Sequence, residues 1–196
     1  MFAQVVLFDG FDPLDAIGPY ETLLAGGMRA ELVTAEGPRE VESGIGISLR
    51  ATARLDPERD GLVLVPGAAA REEDEILVLL AKAATTLAEP MRRALDRRGL
   101  TVATVCGGSL ALAMAGLLGG RTATTNHLGL EVLASYGVTA VPARIVVDGD
   151  LVTASGVTSG VDLGLWLVER ESGSRKAFEV EQVFAHERRG TVWSAA

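Results

Sequence analysis

The chain alternates short apolar runs with longer stretches whose apolar positions recur at helical spacing, the pattern of strands interleaved with helices. Ala3 to Phe8 predicts a first strand, followed by a loop from Asp9 to Pro13 and a helix ending at Leu24. Proline is tolerated in a first helical turn, where no intrahelical donor is lost. Pro19 therefore sets the start of that helix near Gly18 and leaves Asp15 at its mouth. Arg29 to Ala35 predicts a second strand, and the glycine-punctuated stretch from Val41 to Arg50 a hairpin or bulged edge. Gly61 to Val65 reads as a buried parallel strand stopped by Pro66 and Gly67. From Arg71 to Arg98 the period is helical, acidic at its start and basic at its end, with a break expected near Glu89 and Pro90.

The second half repeats the alternation. Val102 to Val105 is β-branched and strand-like, and it runs through Cys106, Gly107 and Gly108 into a helical stretch from Leu110 to Leu118. A short strand at Thr122 to Thr125 and a helix from His127 to Tyr136 follow. Pro142 to Val147 and Leu151 to Ala154 flank Asp148-Gly149-Asp150, a hairpin turn signal. Gly156 opens a helix through Leu167, and Ser174 to Arg188 forms a last amphipathic one. Strands alternating with helices specify an α/β layer sandwich with a mainly parallel sheet. With no linker, repeat or low-complexity tract, residues 1–196 read as one domain.

Composition narrows the function classes. Hydrophobic residues make up 48% of the 196, and the mean hydropathy of +0.28 leaves ample material for a core. The formal net charge of −8 and pI near 4.8 argue against a nucleic-acid partner, which needs clustered Lys and Arg. One cysteine excludes an internal disulfide, and two histidines supply no Cys/His cluster, so a metal site is not expected. The start, Met1 to Phe8, reads as a strand and not as a signal peptide, and no stretch approaches the roughly 20 apolar residues of a membrane span. A soluble cytoplasmic protein is expected.

The chemistry concentrates at Cys106. A tight strand-to-helix reversal needs residues without a Cβ, and it leaves the corner side chain standing above the sheet. Free N–H groups of the following helix would favour the thiolate, so this reading expects a thiol pKa below the free value of about 8.5. The alternative is a small buried hydrophobe in the core. Ligands in open parallel sheets gather at the carboxyl ends of strands. Those ends bring Asp15, Gly67-Ala68 and Cys106-Gly107 into one neighbourhood. Asp15 is either a proton carrier for the thiol or a helix cap. The amides of Gly67, Ala68 and Gly107 are candidates for holding a developing negative charge.

Several motifs, in order, carry a resemblance along nearly the whole chain. Pro66-Gly67-Ala68, Val105-Cys106-Gly-Gly-Ser-Leu110, Ala115-Gly-Leu-Leu118, Ala123-Thr-Thr125 and Ser155-Gly-Val-Thr-Ser-Gly-Val-Asp162 resemble the DJ/PfpI superfamily of class I glutamine amidotransferase-like proteins. Leu14-Asp15-Ala-Ile-Gly18-Pro19-Tyr-Glu is similar to the isocyanide hydratase branch and to the ligand-binding domains of AraC-type regulators. The resemblance implies a flavodoxin-like three-layer sandwich, a homodimer, Cys106 on a nucleophile elbow and Asp15 against its sulfur. It also implies hydration of a small isocyanide to an N-substituted formamide through a thioimidate on Cys106, with no cofactor and no metal. A ligand or oxidation sensor of the same fold, or a glyoxalase-like enzyme, is the alternative. The chain departs from the pattern at two places. Gly107 stands where the hydratases carry Thr, and Asn126 stands where related proteins carry His, with His127 following as a surface residue. His186 lies in a basic, polar C-terminal stretch and is assigned no chemistry.

Overall fold

The apolar runs form the centre of a sheet, and the periodic stretches form the helices around it. A computed structural model describes residues 1–190 and 192–195, the side chains of residues 73 and 74 apart. In chain order the first half holds β1 (Phe2–Val6), α1 (Pro13–Ala25), β2 (Arg29–Thr34), β3 (Arg39–Glu42), β4 (Ser48–Ala51), β5 (Ala53–Arg54), β6 (Gly61–Val65) and α2 (Glu73–Asp96). The second half begins with β7 (Leu100–Val105), α3 (Gly108–Met114) and β8 (Thr122–Ala123). A 3₁₀ turn (His127–Gly129) then leads into α4 (Leu130–Ser135), β9 (Thr139–Ala140), β10 (Ile145–Asp148) and β11 (Leu151–Ala154). The chain closes with α5 (Ser159–Ser172), α6 (Ser174–Phe184) and β12 (Val192–Ser194).

Among the described residues the main sheet has eight strands in the order β12-β10-β11-β7-β6-β1-β2-β5. From β11 to β5 all neighbours are parallel, while β10 runs against β11 and β12 follows β10. The crossover from β1 to β2 moves one way along the sheet and that from β6 to β7 moves the other way. Right-handed crossovers then put α1 and α2 on opposite faces. Packing agrees: α1 lies on α5 and α5 on α6, whereas α2 lies on α3. This is the flavodoxin-like three-layer sandwich. The order reverses between β1 and β6, which opens a crevice at their carboxyl ends.

Several boundaries differ from the sequence reading, each for a local reason. Helix α1 begins at Pro13, not near Gly18. Asp12 accepts a hydrogen bond from Leu14 N at 2.9 Å and caps the helix, with Pro13 in its first turn. Pro19 sits inside the helix, its ring against Gly160 of α5, so tertiary packing holds the turn that proline alone would loosen. Helix α2 runs unbroken through Pro90, because Leu80, Ala83, Leu87, Met91 and Ala94 form one buried face on both sides of it. Helix α3 stops at Met114, four residues early, where Gly116 takes the left-handed backbone (φ 73°). Helix α6 stops at Phe184 as Ala185 turns left-handed (φ 48°).

The expected hairpin at 41–50 is present as β3 and β4, a separate antiparallel pair. Strands β5, β9 and β12 were not foreseen, being only two or three residues long and too short to show a period. Strand β12 pairs with β10, and the segment leading to it is tied down by Asp162, which is almost fully buried. Its Oδ2 accepts from Arg144 Nε at 2.8 Å, and its Oδ1 meets His186 Nε2 at 2.8 Å and Arg189 N at 3.2 Å. His186 therefore fastens the C-terminal segment to α5.

Candidate functional site

Three strand ends build the site. Cys106 follows directly on β7 with φ 54°, a left-handed backbone that costs an L-residue roughly 1–2 kcal/mol. The fold holds it there from both sides. Cys106 N donates to Ala154 O at 2.9 Å, and Cys106 O accepts from Thr125 Oγ1 at 2.8 Å. Ser109 Oγ, bonded to Thr124 O at 2.7 Å, braces the next turn. The corner also requires Gly108, where a Cβ would lie 2.2 Å from Val65 O. This is the nucleophile elbow that the Gly-Gly pair signalled.

Asp15, in the first turn of α1, is fully buried. It does not cap its own helix. Its Oδ2 accepts from Gly67 N at 2.9 Å, across the crevice from the end of β6. The Gly67 amide is thus already used to hold the carboxyl and does not face a substrate. Asp15 Oδ1 has no hydrogen-bond partner among the described residues. Burial pushes the Asp15 pKa well above the usual carboxylate range, with Asp12 adding to it and the Gly67 amide and the Cys106 thiol offsetting part.

Gly67 has no room for a side chain: a Cβ would lie 2.6 Å from Gly107 N, 2.7 Å from Asp15 Oδ2 and 3.2 Å from Cys106 Cβ. Those distances place Asp15, Gly67, Cys106 and Gly107 in one cluster. Ala68 pairs with Phe11 in a bridge whose hydrogen bonds are made by its neighbours, from Asp12 N to Gly67 O and from Ala69 N to Gly10 O. The Ala68 N–H consequently points away from Phe11.

The thiol does not follow the expectation of a lowered pKa. Desolvation by burial and the Asp15 charge push Cys106 up to about 12, outweighing the Gly107 N–H and the Asn126 amide that favour the anion. The two groups form one titrating unit. Between the first ionisation and the second, a single proton is held by the pair, on sulfur or on carboxyl. A carboxylate made more basic by burial is able to take the thiol proton without release to solvent.

Asn126 was read from the sequence as a helix cap, and it is one, its Oδ1 accepting from Leu128 N at 3.1 Å. The cap orients the other end of the amide, and Nδ2 lies 3.7 Å from Cys106 Sγ. Its position next to the Ala-Thr-Thr segment was the only signal for that second role. His127 is exposed and does not reach the sulfur cluster; it borders a separate cleft with Arg144.

A cavity of about 230 Å³ opens over the sulfur, lined by Ala68, Leu80, Leu110, Asn126, Leu128 and Val132, together with Cys106 and Gly107. Leu80 explains Gly107: a Cβ there would stand 2.9 Å from Leu80 Cδ1, so α2 fills the space beside Cys106 that a side chain would take. The sequence reading missed this wall, because nothing in the period of α2 says which strand end its apolar face meets. Among the described residues no three His, Cys, Asp or Glu side chains are grouped to hold a metal, and no helix is long and apolar enough to cross a membrane.

A flavodoxin-like sandwich with a strained cysteine at a strand-to-helix corner defines the class as a nucleophile-elbow α/β protein. The profile of the DJ-1/PfpI family matches residues 2–170, and the chain belongs to that family. It is 31% identical to the isonitrile hydratase of Pseudomonas putida over 175 residues, covering 86% of this chain and 71% of that one. It is 29% identical to Protein DJ-1 homolog A of Arabidopsis thaliana, covering 93% of this chain and 46% of that one. It is also 29% identical to the HTH-type transcriptional regulator CdhR of Pseudomonas aeruginosa, covering 91% and 53%. The chain thus spans about half the length of the last two. Among solved structures it is similar to a THiJ/PfpI family protein from Pseudomonas syringae, with TM-score 0.82, 26% identity, and coverage of 96% of this chain and 76% of that one. Drosophila melanogaster DJ-1beta shares the fold, with TM-score 0.82, 19% identity and coverage of 95% and 98%.

Proposed function

We propose that the protein is a cysteine-dependent hydratase that converts a small isocyanide to an N-substituted formamide. The observation that carries the reading is the buried Cys106 and Asp15 pair, gathered with Gly67 and Gly107 at the crevice under an open cavity. The similarity to an isonitrile hydratase over 86% of the chain supports the choice of substrate.

In this mechanism the pair starts with its one proton on Asp15. The Cys106 sulfur attacks the isocyanide carbon and forms the S–C bond, and Asp15 delivers its proton to the same carbon, giving a thioimidate. Asp15, now a carboxylate, takes a proton from water as the hydroxyl adds to that carbon, and passes it to nitrogen. The C=O bond then forms, the hydroxyl proton returns to Asp15, and the C–S bond breaks to release formamide and the thiolate. Overall one isocyanide and one water become one formamide. The unbonded Oδ1 is the oxygen that carries the proton, while Oδ2 stays anchored to Gly67 N. The Ala68 and Gly107 amides and Asn126 Nδ2 are the contacts for charge that develops near sulfur.

The acting unit is proposed to be a homodimer. Leu14 and Ile17 on the outer face of α1 and Ile45 and Ile47 in the turn between β3 and β4 are exposed, and that turn is bonded to the start of α1 through Gly44 N and Phe11 O at 3.2 Å. Sedimentation at micromolar concentration is expected to show a species at twice 20.5 kDa.

The test is to incubate the purified protein with an alkyl isocyanide and, separately, with methylglyoxal, following formamide and lactate. Formamide production that is lost in Cys106→Ala and in Asp15→Asn is expected. Lactate without formamide replaces the hydratase by a glyoxalase-like enzyme. Absence of both, with ligand binding retained, moves the protein to the sensor reading, which the match to CdhR supports.

A further inference from the structure

The segment after β8 grips the elbow at two points. Thr124 N donates to Thr153 Oγ1 at 2.8 Å and Thr124 O accepts from Ser109 Oγ at 2.7 Å, so the segment is tied to β11 and to α3. From that base Thr125 Oγ1 donates to Cys106 O at 2.8 Å, while Asn126 Nδ2 stands 3.7 Å from Cys106 Sγ. A carbonyl oxygen only accepts, so the proton in the first of these contacts is that of the Thr125 hydroxyl. Ser109 Oγ lies 3.4 Å from the same carbonyl, but its one proton goes to the nearer Thr124 O. Thr125 thus makes the only short hydrogen bond to Cys106 O among the described residues, and it makes it from a buried position.

That oxygen belongs to the peptide joining Cys106 to Gly107. In a planar trans peptide the C=O and N–H point in opposite directions, so fixing the oxygen fixes the aim of the Gly107 N–H. The N–H faces the cluster of Cys106, Gly67 and Asp15: it bonds the sulfur and favours its anion, and its nitrogen would lie 2.6 Å from a Cβ on Gly67. Gly107 has no Cβ, so its own backbone does little to hold this peptide still. We infer that Thr125 is a positioning residue which, by pinning Cys106 O, keeps the Gly107 N–H aimed at the Cys106 sulfur. The inference rests on the reading of Cys106 as the reacting thiol. Thr125 acts through the peptide and makes no hydrogen bond to the sulfur itself. A hydrogen bond weakens steeply once its angle falls below about 120°, so a tilt of the released peptide is enough to lose the donor.

The test reads the thiol itself, so it does not depend on turnover. Iodoacetamide alkylation of Cys106, the only cysteine, is followed on the full chain from pH 7 to 9, where the thiolate is the minor form, and well below each melting temperature. Thr125→Val keeps the shape and removes the hydroxyl, Thr125→Ser keeps the hydroxyl, and Thr125→Ala takes the place of the valine variant should that one not fold. Thr34→Val is the control for lost stability alone. Thr34 is fully buried, its Oγ1 donates to Gly37 O and accepts from Gly37 N, and β1 and β6 stand between its strand and β7. A hydrogen bond to a charged group shifts an equilibrium by about 10- to 100-fold, and the more basic sulfur regains about half of that logarithm in nucleophilicity. Thr125→Val is therefore expected to alkylate about three- to tenfold more slowly than the parent at each pH, and Thr125→Ser to stay within about twofold of it. Thr34→Val is expected to melt lower and alkylate like the parent. Where isocyanide is hydrated, Thr125→Val lowers kcat and leaves KM in place. Alkylation of Thr125→Val at the parent's rate, no rescue by Thr125→Ser, or equal slowing in Thr34→Val overturns the inference. If the parent hydrates no isocyanide yet the alkylation series holds, the hydratase reading falls and the positioning role stands.

Discussion

Replacing Gly67 by Ala adds one methyl group at the most crowded point of the site. The new Cβ would lie 2.6 Å from Gly107 N, 2.7 Å from Asp15 Oδ2 and 3.2 Å from Cys106 Cβ, where non-bonded atoms settle at about 3.5–4.0 Å. Two of the three neighbours are fixed by the elbow backbone and the third by its own bond to Gly67 N, so relief requires a displacement of about 1 Å. Overpacking of this kind costs about 1–3 kcal/mol, which for a chain of 196 residues lowers the melting temperature by between about 2 and 12 °C. A misplacement of about 1 Å at reacting groups costs on the order of 10² in rate. Gly119→Ala is the matched control, since a Cβ there meets nothing within 4 Å and its backbone is not left-handed. It is expected to gain about 0.4–1 kcal/mol through the unfolded chain. Thermal and urea denaturation of both variants, with formamide production or iodoacetamide reactivity of Cys106, measures the contrast. If Gly67→Ala melts and reacts like the parent, the contact of Asp15, Gly67 and Gly107 is not the one that positions the pair.

The remaining predictions concern protons and donors. Asp15→Asn keeps an acceptor for Gly67 N, so it is expected to abolish turnover by about 10² to 10⁴ while raising stability near neutral pH by about 0.5–2 kcal/mol. The sign follows from the raised carboxyl. Its stabilising contribution is full below the unfolded value near 3.9 and is lost as pH rises through the folded value, so the advantage of Asn is absent at pH 3 and grows upward, as denaturation across pH will show. Alkylation of Cys106 is expected to rise in two limbs, one as the pair loses its first proton and one toward about 12 as it loses the second; a single midpoint near 8.5 refutes the coupling. Asn126→Asp preserves the cap but removes the donor to sulfur, so stability is expected to hold within about 0.5 kcal/mol while the thiol becomes harder to ionise, whereas Asn126→Ala loses about 1 kcal/mol with the cap.

The strands were legible because their apolar β-branched runs are buried on both faces, and the elbow because a single cysteine precedes two glycines between a strand and a helix. The nearness of Asp15 to Cys106 and Gly67 was legible from its place after the first strand. Its rival reading as a cap failed because Asp12 and Pro13, three and two residues earlier, carry the stronger helix-start signature. The thiol pKa was misjudged for a different reason. The helix amides are local and can be read from the chain, whereas desolvation comes from α1 and α2, which close around the sulfur only in the folded state. Asn126 shows the same limit: its cap is a two-residue relation, and its reach to Cys106 crosses twenty positions.

The contact of Leu80 with Gly107 also governs how this site can evolve. A hydroxyl beside Cys106, as in Gly107→Thr, sets a Cβ 2.9 Å from Leu80 Cδ1, so it is reached only if the end of the Leu80 side chain shifts into the neighbouring cavity. Shortening Leu80 first, as Leu80→Ala, leaves a cavity beneath the site and costs about 2–5 kcal/mol, a large part of what holds a domain of this size folded. The first order asks Leu80 to move and the second removes the wall it forms, so the side chain allowed at 107 depends on the one at 80. Thr at 107 with a smaller residue at 80 would share the space that Gly107 and Leu80 divide now, and exchange of both together is the least crowded route between the two arrangements.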